Sequence, residues 1–156
     1  MTVDVNQLFD MLSWDSNEDT QLEGLEEAAK VKYLSIFIRP SEGKGLWENC
    51  AKALAGKTDE ELEPYLISLF EWLADGNWPG FIIIYERLIK IPAKKILNAY
   101  QFSIKRAREM PEVDSKRWLT YLAGLITNQE LLELLPLDQQ KLMKKYYKRW
   151  WKSQEE

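Results

Sequence analysis

Histidine is absent from this 156-residue chain, and Cys50 is its one cysteine. Histidine is the commonest general base near neutral pH and the commonest metal ligand in proteins. Ser-His and Cys-His nucleophile pairs, zinc sites and iron–sulfur clusters therefore lack the residues that they need. Carboxylates alone can still hydrolyse a glycoside or hold Mg²⁺, so a carboxylate-dependent hydrolase stays open as a distant alternative. The composition predicts a protein that is not an enzyme, with no catalytic, cofactor or metal site.

Chain breakers and long apolar runs are scarce as well. Seven glycines and six prolines in 156 residues favour long regular elements, and a lone cysteine excludes an internal disulfide. The longest apolar run, FIIIY at residues 81–85, is far too short to span a bilayer. The acidic start MTVDVNQLFD lacks the basic and apolar regions of a secretory signal. We therefore expect one cytoplasmic domain over residues 1–156 that does not bind membranes.

Helical periodicity dominates the rest of the chain. In VNQLFDML, residues 5–12, apolar side chains recur at the i, i+3, i+4 and i+7 positions of a helix. Thr58 and Glu61 form a capping box before a long helix that ends at the corner DGNWPG. A further helix through QLEGLEEAAKVK is predicted to start at a cap provided by Ser16 or Asn17. The predicted inner face of this second helix consists of Leu22, Leu25, Ala29 and Tyr33.

The order of these helices predicts the architecture. No convincing strand pair or hairpin turn is present. A weak echo between LFDMLSWDSNE and LFEWLADGNW indicates an array of helical hairpins, because both segments end an apolar helix in an Asp/Gly/Asn corner. We predict an all-α fold of stacked antiparallel helix pairs, in a HEAT- or armadillo-like α-α superhelix.

The corner DGNWPG, residues 75–80, lies between the two most apolar stretches of the chain. Gly76 is predicted to take the left-handed conformation that ends the preceding helix, and Trp78 to cover the junction. The helix that follows is apolar nearly all round and is predicted to be buried on all sides. A ligand loop would need converging polar groups, and only Asp75 and Asn77 are present. We interpret the segment as a structural corner.

LFEWLADGNWPGFIIIYERLIKI resembles the W-L-x-D-x-N-W-P core of an uncharacterised bacterial family, the domain of unknown function 5071. WLTYLAGLI, LLELLPLDQQ and YYKRWW are similar to a C-terminal pattern in a wider set of small helical bacterial proteins. The resemblance extends over residues 45–151. It implies a HEAT-like helical fold without an established reaction. For some relatives it also implies a role as immunity proteins of bacterial toxin systems, which bind a partner protein tightly.

Charge is divided unevenly along the chain. Residues 1–75 carry 16 acidic and 6 basic side chains, whereas residues 76–156 carry 9 acidic and 15 basic ones. An acidic half would attract a basic partner, such as a nuclease toxin domain; the plainer interpretation is a solvated helix face. Two tryptophans near turns could anchor a partner or close the ends of helical layers. The predicted partner contacts are Trp14, Asp15, Glu18, Asp19, Glu23, Glu26, Glu27 and Trp47.

The segment KLMKKYYKRWWK, residues 141–152, combines six bases and four aromatic rings with no acid. Such a composition can bind a phosphate backbone and stack on bases. At helical spacing, however, the apolar residues share one side and the lysines the other, which is typical of a terminal helix docked on the body. We therefore predict a protein-binding domain, in its most specific form an immunity protein that occludes a toxin. A nucleic-acid-binding module that uses the basic half is the alternative.

Overall fold

The structure is a computed structural model, and it describes residues 3–154. The described part is 77% helical and contains no strand, which confirms the all-α prediction. The helices are α1 (Val5–Leu12), α2 (Glu18–Ala29), α3 (Trp47–Ala55), α4 (Asp59–Leu62), α5 (Leu66–Glu71), α6 (Phe81–Ile89), α7 (Ala93–Arg108), α8 (Glu112–Leu122), α9 (Gln129–Leu134) and α10 (Leu137–Gln154). Short 3₁₀ segments occupy Leu34–Phe37, Lys44–Leu46, Glu63–Tyr65, Trp72–Ala74 and Ala123–Thr127.

Local signals in the sequence determine where several helices begin. Thr58 caps α4 in the predicted capping box, and its amide donates to the Glu61 carboxylate at 3.1 Å. Of the two predicted caps for α2, Asn17 is the one used, and it accepts a hydrogen bond from the Thr20 amide at 2.8 Å. The long helix predicted after Thr58 is interrupted at Pro64, where a 3₁₀ turn separates α4 from α5. Proline has no amide hydrogen to continue the helical bonding pattern.

Packing joins helices that are neighbours along the chain and helices that are not. α1 packs on α2 and α7 on α8, as helix pairs do. In contrast, α3 packs on α6, α5 packs on α7, and α10 covers α8 and the 3₁₀ segment Ala123–Thr127. One cluster of buried apolar side chains runs between these helices and includes residues from Leu8 to Trp151. Both ends of the chain therefore contribute to the same core.

Large aromatic side chains in this core make hydrogen bonds that fix their orientation. Tyr100 is fully buried, and its hydroxyl donates to the Leu122 carbonyl at 2.7 Å. The indole N–H of Trp118 donates to the Phe70 carbonyl at 3.0 Å. A buried donor without a partner would cost about 1–3 kcal/mol. These two bonds therefore stabilise the packing of α8 against α7 and α5.

The inner face of α2 differs from the prediction. Leu22 and Tyr33 are 54% and 71% exposed, whereas Gly24 and Ala28 are buried. A Cβ at Gly24 would lie 2.9 Å from the Met11 Cβ, so the absent side chain lets α1 and α2 approach closely. Of the predicted face, Leu25 is partly buried against the core, whereas Leu22, Ala29 and Tyr33 are exposed, because Gly24 is the residue that lies against α1.

Gly80, and not Gly76, takes the left-handed conformation in the corner between α5 and α6. Its φ is 88° at the N-cap of α6, and an added Cβ would lie 2.8 Å from the Ala51 Cβ. Gly76 has no positive φ, but an added Cβ there would lie 2.6 Å from the Tyr121 hydroxyl. The prediction for Gly76 was wrong because the chain leaves the preceding helical turn through an extended residue, Asp75, with φ −142° and ψ 117°.

α6 is less buried than its apolar composition predicts. Phe81, Ile84 and Leu88 are buried, but Ile82 is 52% exposed. The helix contributes one face to the core and leaves an isoleucine at the surface. Composition reports how apolar a helix is, whereas burial depends on how many neighbours surround it.

The predicted docking of the C-terminal helix is confirmed. Met143, Tyr146 and Trp151 of α10 are buried. The Trp151 ring stacks on Tyr85 with 4.6 Å between ring centroids, and its indole N–H donates to the Thr120 carbonyl at 2.6 Å. The apolar side of α10 therefore belongs to the core.

Lys57 is a buried lysine that ties the end of α2 to the turn after α3. Its ammonium group donates to the carbonyl oxygens of Ala29 at 2.9 Å and Val31 at 2.7 Å. The last carbonyl groups of a helix have no partner within the helix and carry partial negative charge. Lys57 supplies both the hydrogen-bond donors and the positive charge that this end of α2 needs.

Replacing Lys57 with methionine should lower the free energy of unfolding by about 2 kcal/mol, because the apolar stem remains while two carbonyl groups lose their donor. Urea denaturation followed by circular dichroism measures the change. Lys52→Met, at an exposed position of α3, is the matched control and should change this free energy by less than about 0.5 kcal/mol. Equal losses in the two variants would contradict the assigned role of Lys57.

Candidate protein-binding surface

A hydrogen-bonded network holds the turn between α1 and α2. Asn49 on α3 is buried, and its side-chain amide donates to the Leu12 carbonyl at 2.7 Å and to the Gln21 side-chain oxygen at 2.9 Å. The side-chain NH₂ group of Gln21 donates in turn to the Ser16 carbonyl at 2.7 Å. Because a buried side chain anchors the network, the turn presents its outward side chains in a defined arrangement.

Five carboxylates project from this turn and from the outer side of α2. All five are exposed, and within residues 3–154 none of them forms an ion pair. Like charges without counter-ions produce a negative potential that extends into solvent. The five residues are Asp15, Glu18, Asp19, Glu23 and Glu26.

Two large apolar side chains lie beside these carboxylates. Trp14 is 58% exposed, and its indole rests on Gly45, where an added Cβ would lie 2.7 Å from the indole nitrogen. Leu22 is exposed on α2, one helical turn from both Glu18 and Glu26. Exposed tryptophan within a charged rim is typical of the residues that anchor a protein partner. We name the set of Trp14, Leu22 and the five carboxylates the acidic surface.

Two residues of α2 distinguish the acidic surface from the set of predicted partner contacts: Glu27 is left out, and Leu22 is added. Glu27 is partly buried, and its carboxylate binds Lys30 at 3.0 Å, so its charge is compensated. Leu22 was assigned to the core by periodicity, and the structure places it at the surface. Gly24 is the residue from which the exposure of Leu22 could have been predicted. A glycine within a helix often marks the side that contacts a neighbouring helix.

Trp47, also a predicted partner contact, has internal partners. Its ring packs edge-on against Trp72 and Trp78, with centroid distances of 6.0 and 5.6 Å. Its indole N–H donates to the Pro40 carbonyl at 2.9 Å. Trp47 thus fits the second of the two roles considered for it, which is to close the end of a helical layer.

Groups that could carry chemistry are few. Within residues 3–154, no cluster of three or more Cys, Asp or Glu side chains could hold a metal ion. Cys50 is buried, and its desolvation, together with the negative charge of Glu42, raises the pKa of the thiol to about 12. At neutral pH this thiol is protonated and therefore a poor nucleophile. In the same described part, no helix is long and apolar enough to cross a membrane.

One of the surface hollows combines three basic side chains with two aromatic rings. It is a groove of about 390 Å³ between α8 and α10, and its lining includes Lys116, Tyr121, Arg149 and Trp150. A hollow of about 760 Å³ lies between the end of α6 and the start of α9, and it has fewer charged side chains. The first groove lies apart from the acidic surface in the sequence and is formed by different helices.

The chain matches one known family. A family model described as a domain of unknown function (DUF5071) covers residues 48–133, more than half of the chain. The chain belongs to this family. No curated protein and no solved structure matches it. The DUF5071 match includes the corner between α5 and α6, whereas α1, α2 and α10 lie outside it.

Hydrogen bonds within this DUF5071 corner hold its polar groups together. The indole N–H of Trp72 donates to the Pro79 carbonyl at 2.9 Å, which closes the corner across seven residues. The Asn77 amide donates to the Asp75 carboxylate at 2.9 Å, and the Trp78 amide donates to the Asp75 carbonyl at 3.1 Å. These polar groups bind one another, as the interpretation of the segment as a structural corner expects.

Arg39 braces the DUF5071 corner from outside the matched segment. Its guanidinium lies 5.4 Å from the centroid of the Trp78 ring and donates to the Glu71 carboxylate at 3.0 Å. The same carboxylate accepts a hydrogen bond from Arg106 at 2.8 Å. Arg39 has a φ of 38°, which is uncommon for a residue other than glycine. Its contacts therefore hold a strained backbone, and nothing in the local sequence IFIRP predicts them.

Proposed function

We propose that this DUF5071 chain is a non-catalytic protein-binding domain and that its partner binds the acidic surface. The observation that carries the proposal is the combination of five unpaired carboxylates with the exposed side chains of Trp14 and Leu22. A fitting partner presents lysine or arginine side chains around an apolar hollow that accepts the tryptophan. Asn49 supports this function indirectly, because it holds the turn that carries Trp14.

Binding would proceed through two effects of different range. The negative potential attracts a basic partner from a distance and raises the association rate, most strongly at low salt. Burial of Trp14 and Leu22 then removes apolar area from water and slows dissociation. Charge reversal should therefore act mainly on the association rate, and truncation of Trp14 mainly on the dissociation rate.

In its most specific form, the proposal is a bacterial immunity protein that acts in the cytoplasm and has a HEAT-like helical stack. Its acidic surface would cover the basic active face of a toxin domain and exclude the toxin's substrate. Enzymes that act on nucleic acids present basic faces because their substrates are polyanions, so an acidic protein surface matches them in charge. LFEWLADGNWPG resembles the DUF5071 core, and that resemblance implies an immunity role for some relatives; this implication is the ground for the most specific form of the proposal.

The test uses a partner captured from the native host by the immobilised chain and then purified. In the acidic reversal variant, Glu18, Asp19 and Glu23 are replaced by lysine. This variant should bind the purified partner at least about tenfold more slowly at low salt. Trp14→Ala should leave the association rate nearly unchanged and raise the dissociation rate. Surface plasmon resonance measures both rates.

A control variant with the same net charge reverses Glu63, Glu109 and Glu130 to lysine. These three residues are exposed and make no ion pair within the described part of the chain. The control should bind the partner about as fast as the unaltered chain. If the acidic reversal variant still captured the partner protein, or if the unaltered chain captured only nucleic acid, the acidic surface would not be the binding site.

A further inference from the structure

A row of cations lines the outward side of α10. All six of its basic side chains are exposed, and within residues 3–154 none of them forms an ion pair. Four of them recur at steps of four, three and four residues, so they form one stripe that extends about 16 Å along the helix. We name the six residues the basic row: Lys141, Lys144, Lys145, Lys148, Arg149 and Lys152.

Docking of the opposite side of α10 keeps the basic row directed outward. Met143, Tyr146 and Trp151 are buried, so the helix is held against the body along its length. The side chains of Lys145 and Arg149 lie 5.7 and 5.5 Å from the centroid of the Tyr146 ring. The charges are therefore presented on a fixed scaffold, and the buried rings are not available to insert into a membrane.

The groove between α8 and α10 continues the basic row at Arg149. Tyr121 and Trp150 are partly buried and line it. Their rings meet edge-on, with 5.6 Å between ring centroids. Lys116 and Arg117 lie on the α8 side of the groove. The groove therefore combines positive charge with aromatic surface in a volume of about 390 Å³.

The carboxylates that pair with Lys116 and Arg117 near this groove are partly or fully exposed. Lys116 binds Glu112 at 2.7 Å within α8, and Arg117 lies 3.6 Å from Asp114 and 4.0 Å from Asp75. Exposed ion pairs contribute little to stability, so Lys116 and Arg117 can exchange these carboxylates for another anion. Arg149 has no carboxylate partner within the described residues.

We propose that α10 and this groove form a binding site for single-stranded nucleic acid. The phosphates lie along the basic row, and one unpaired base enters the groove beside Trp150 and Tyr121. Cations in series along a strand combined with aromatic rings beside it are the two elements by which proteins bind single strands without reading sequence. This site lies on helices other than those of the acidic surface, so it does not depend on the function proposed above.

A single strand fits this site better than a duplex does. The basic row on the exposed side of α10 can contact the phosphates of a single strand or of a duplex. A base that is paired and stacked in a duplex cannot reach the rings in the groove. Duplex DNA would therefore contact the basic row alone and bind more weakly.

The test measures fluorescence anisotropy of labelled oligothymidine and of a labelled duplex of equal length as salt increases. In the basic reversal variant, Lys145, Lys148 and Arg149 are replaced by glutamate. We expect the unaltered chain to bind the single strand at low salt at least tenfold more tightly than the duplex. The variant should lose at least about a hundredfold in affinity, and the slope of log K against log salt should fall by about 2, since each phosphate contact contributes about 0.7.

The control variant replaces Lys52, Lys90 and Lys94 with glutamate, which changes the net charge equally at exposed cations outside α10. It should retain the slope and most of the affinity. Three results would overturn the proposal: no single-strand binding at low salt, equal losses in both variants, or duplex binding as tight as single-strand binding. Binding to phosphatidylserine vesicles without binding to oligothymidine would also overturn it, in favour of a membrane surface.

Discussion

Replacing Trp72 with alanine should lower the free energy of unfolding by about 3–5 kcal/mol, the range for removing a large aromatic side chain from a core. Trp72 is fully buried where α5 meets the corner, and its ring packs edge-on against Trp47. Its indole N–H is the donor to the Pro79 carbonyl at 2.9 Å, so the substitution also leaves that carbonyl without its partner. Urea denaturation monitored by far-ultraviolet circular dichroism measures the loss.

Trp14→Ala is the matched control for this prediction, because it removes the same side chain from an exposed position. It should cost less than about 1 kcal/mol, and the same variant then serves in the partner-binding experiment as a folded protein. Trp72→Phe should fall between the two, since it retains most of the packing and loses the hydrogen bond. A small loss for Trp72→Ala would mean that the corner does not depend on this ring.

Gly80→Ala should lower the free energy of unfolding by about 2–4 kcal/mol. At a φ of 88° an alanine is strained by its own Cβ. The added Cβ would also lie 2.8 Å from the Ala51 Cβ and 3.1 Å from the Trp47 carbonyl oxygen. Both of these atoms belong to α3 and have little freedom to move, so the strain and the crowding add. Thermal unfolding alongside urea denaturation would show the loss.

Gly76→Ala tests the same corner with a different expected result. Its φ is not positive, and the added Cβ would meet the far end of the Tyr121 side chain, which is partly exposed and can shift. We expect a loss of about 1 kcal/mol. If Gly76 were the left-handed residue, as the sequence predicts, Gly76→Ala would lower the free energy of unfolding more than Gly80→Ala does. The comparison therefore distinguishes the conformation in the structure from the one that the sequence DGNWPG indicates.

The two candidate surfaces relate to the charge division along the chain. Within residues 3–154, the acidic half provides five carboxylates without ion pairs, on α2 and the turn before it, and the basic half provides six cations without ion pairs on one side of α10. Both helices lie outside the segment matched by the DUF5071 family. The matched segment contains the corner and much of the core, so the family match describes the scaffold that carries these surfaces. Their proposed functions are tested by separate variants.

Several elements of the fold and one part of the candidate surface follow from short stretches of sequence. The capping box at Thr58, the α1 pattern in VNQLFDML and the docked side of α10 depend on residues within one to three helical turns. Exposure of the acids from Asp15 to Glu26 is equally local, because charged side chains on a helix turn toward water. These predictions needed no knowledge of which helices meet.

Contacts between residues far apart in the chain produced the differences. Gly24 turns toward Met11, so Leu22 is exposed; Ala51 and Trp47 crowd Gly80, so only glycine fits its left-handed turn. A hydrophobic pattern states that a side chain would gain free energy on burial, but the gain is realised only where a neighbour covers it. Local sequence patterns thus determined where helices form and whether their exposed sides are acidic or basic. Packing between helices distant in sequence decided which glycine turns the corner and which leucine remains exposed to water.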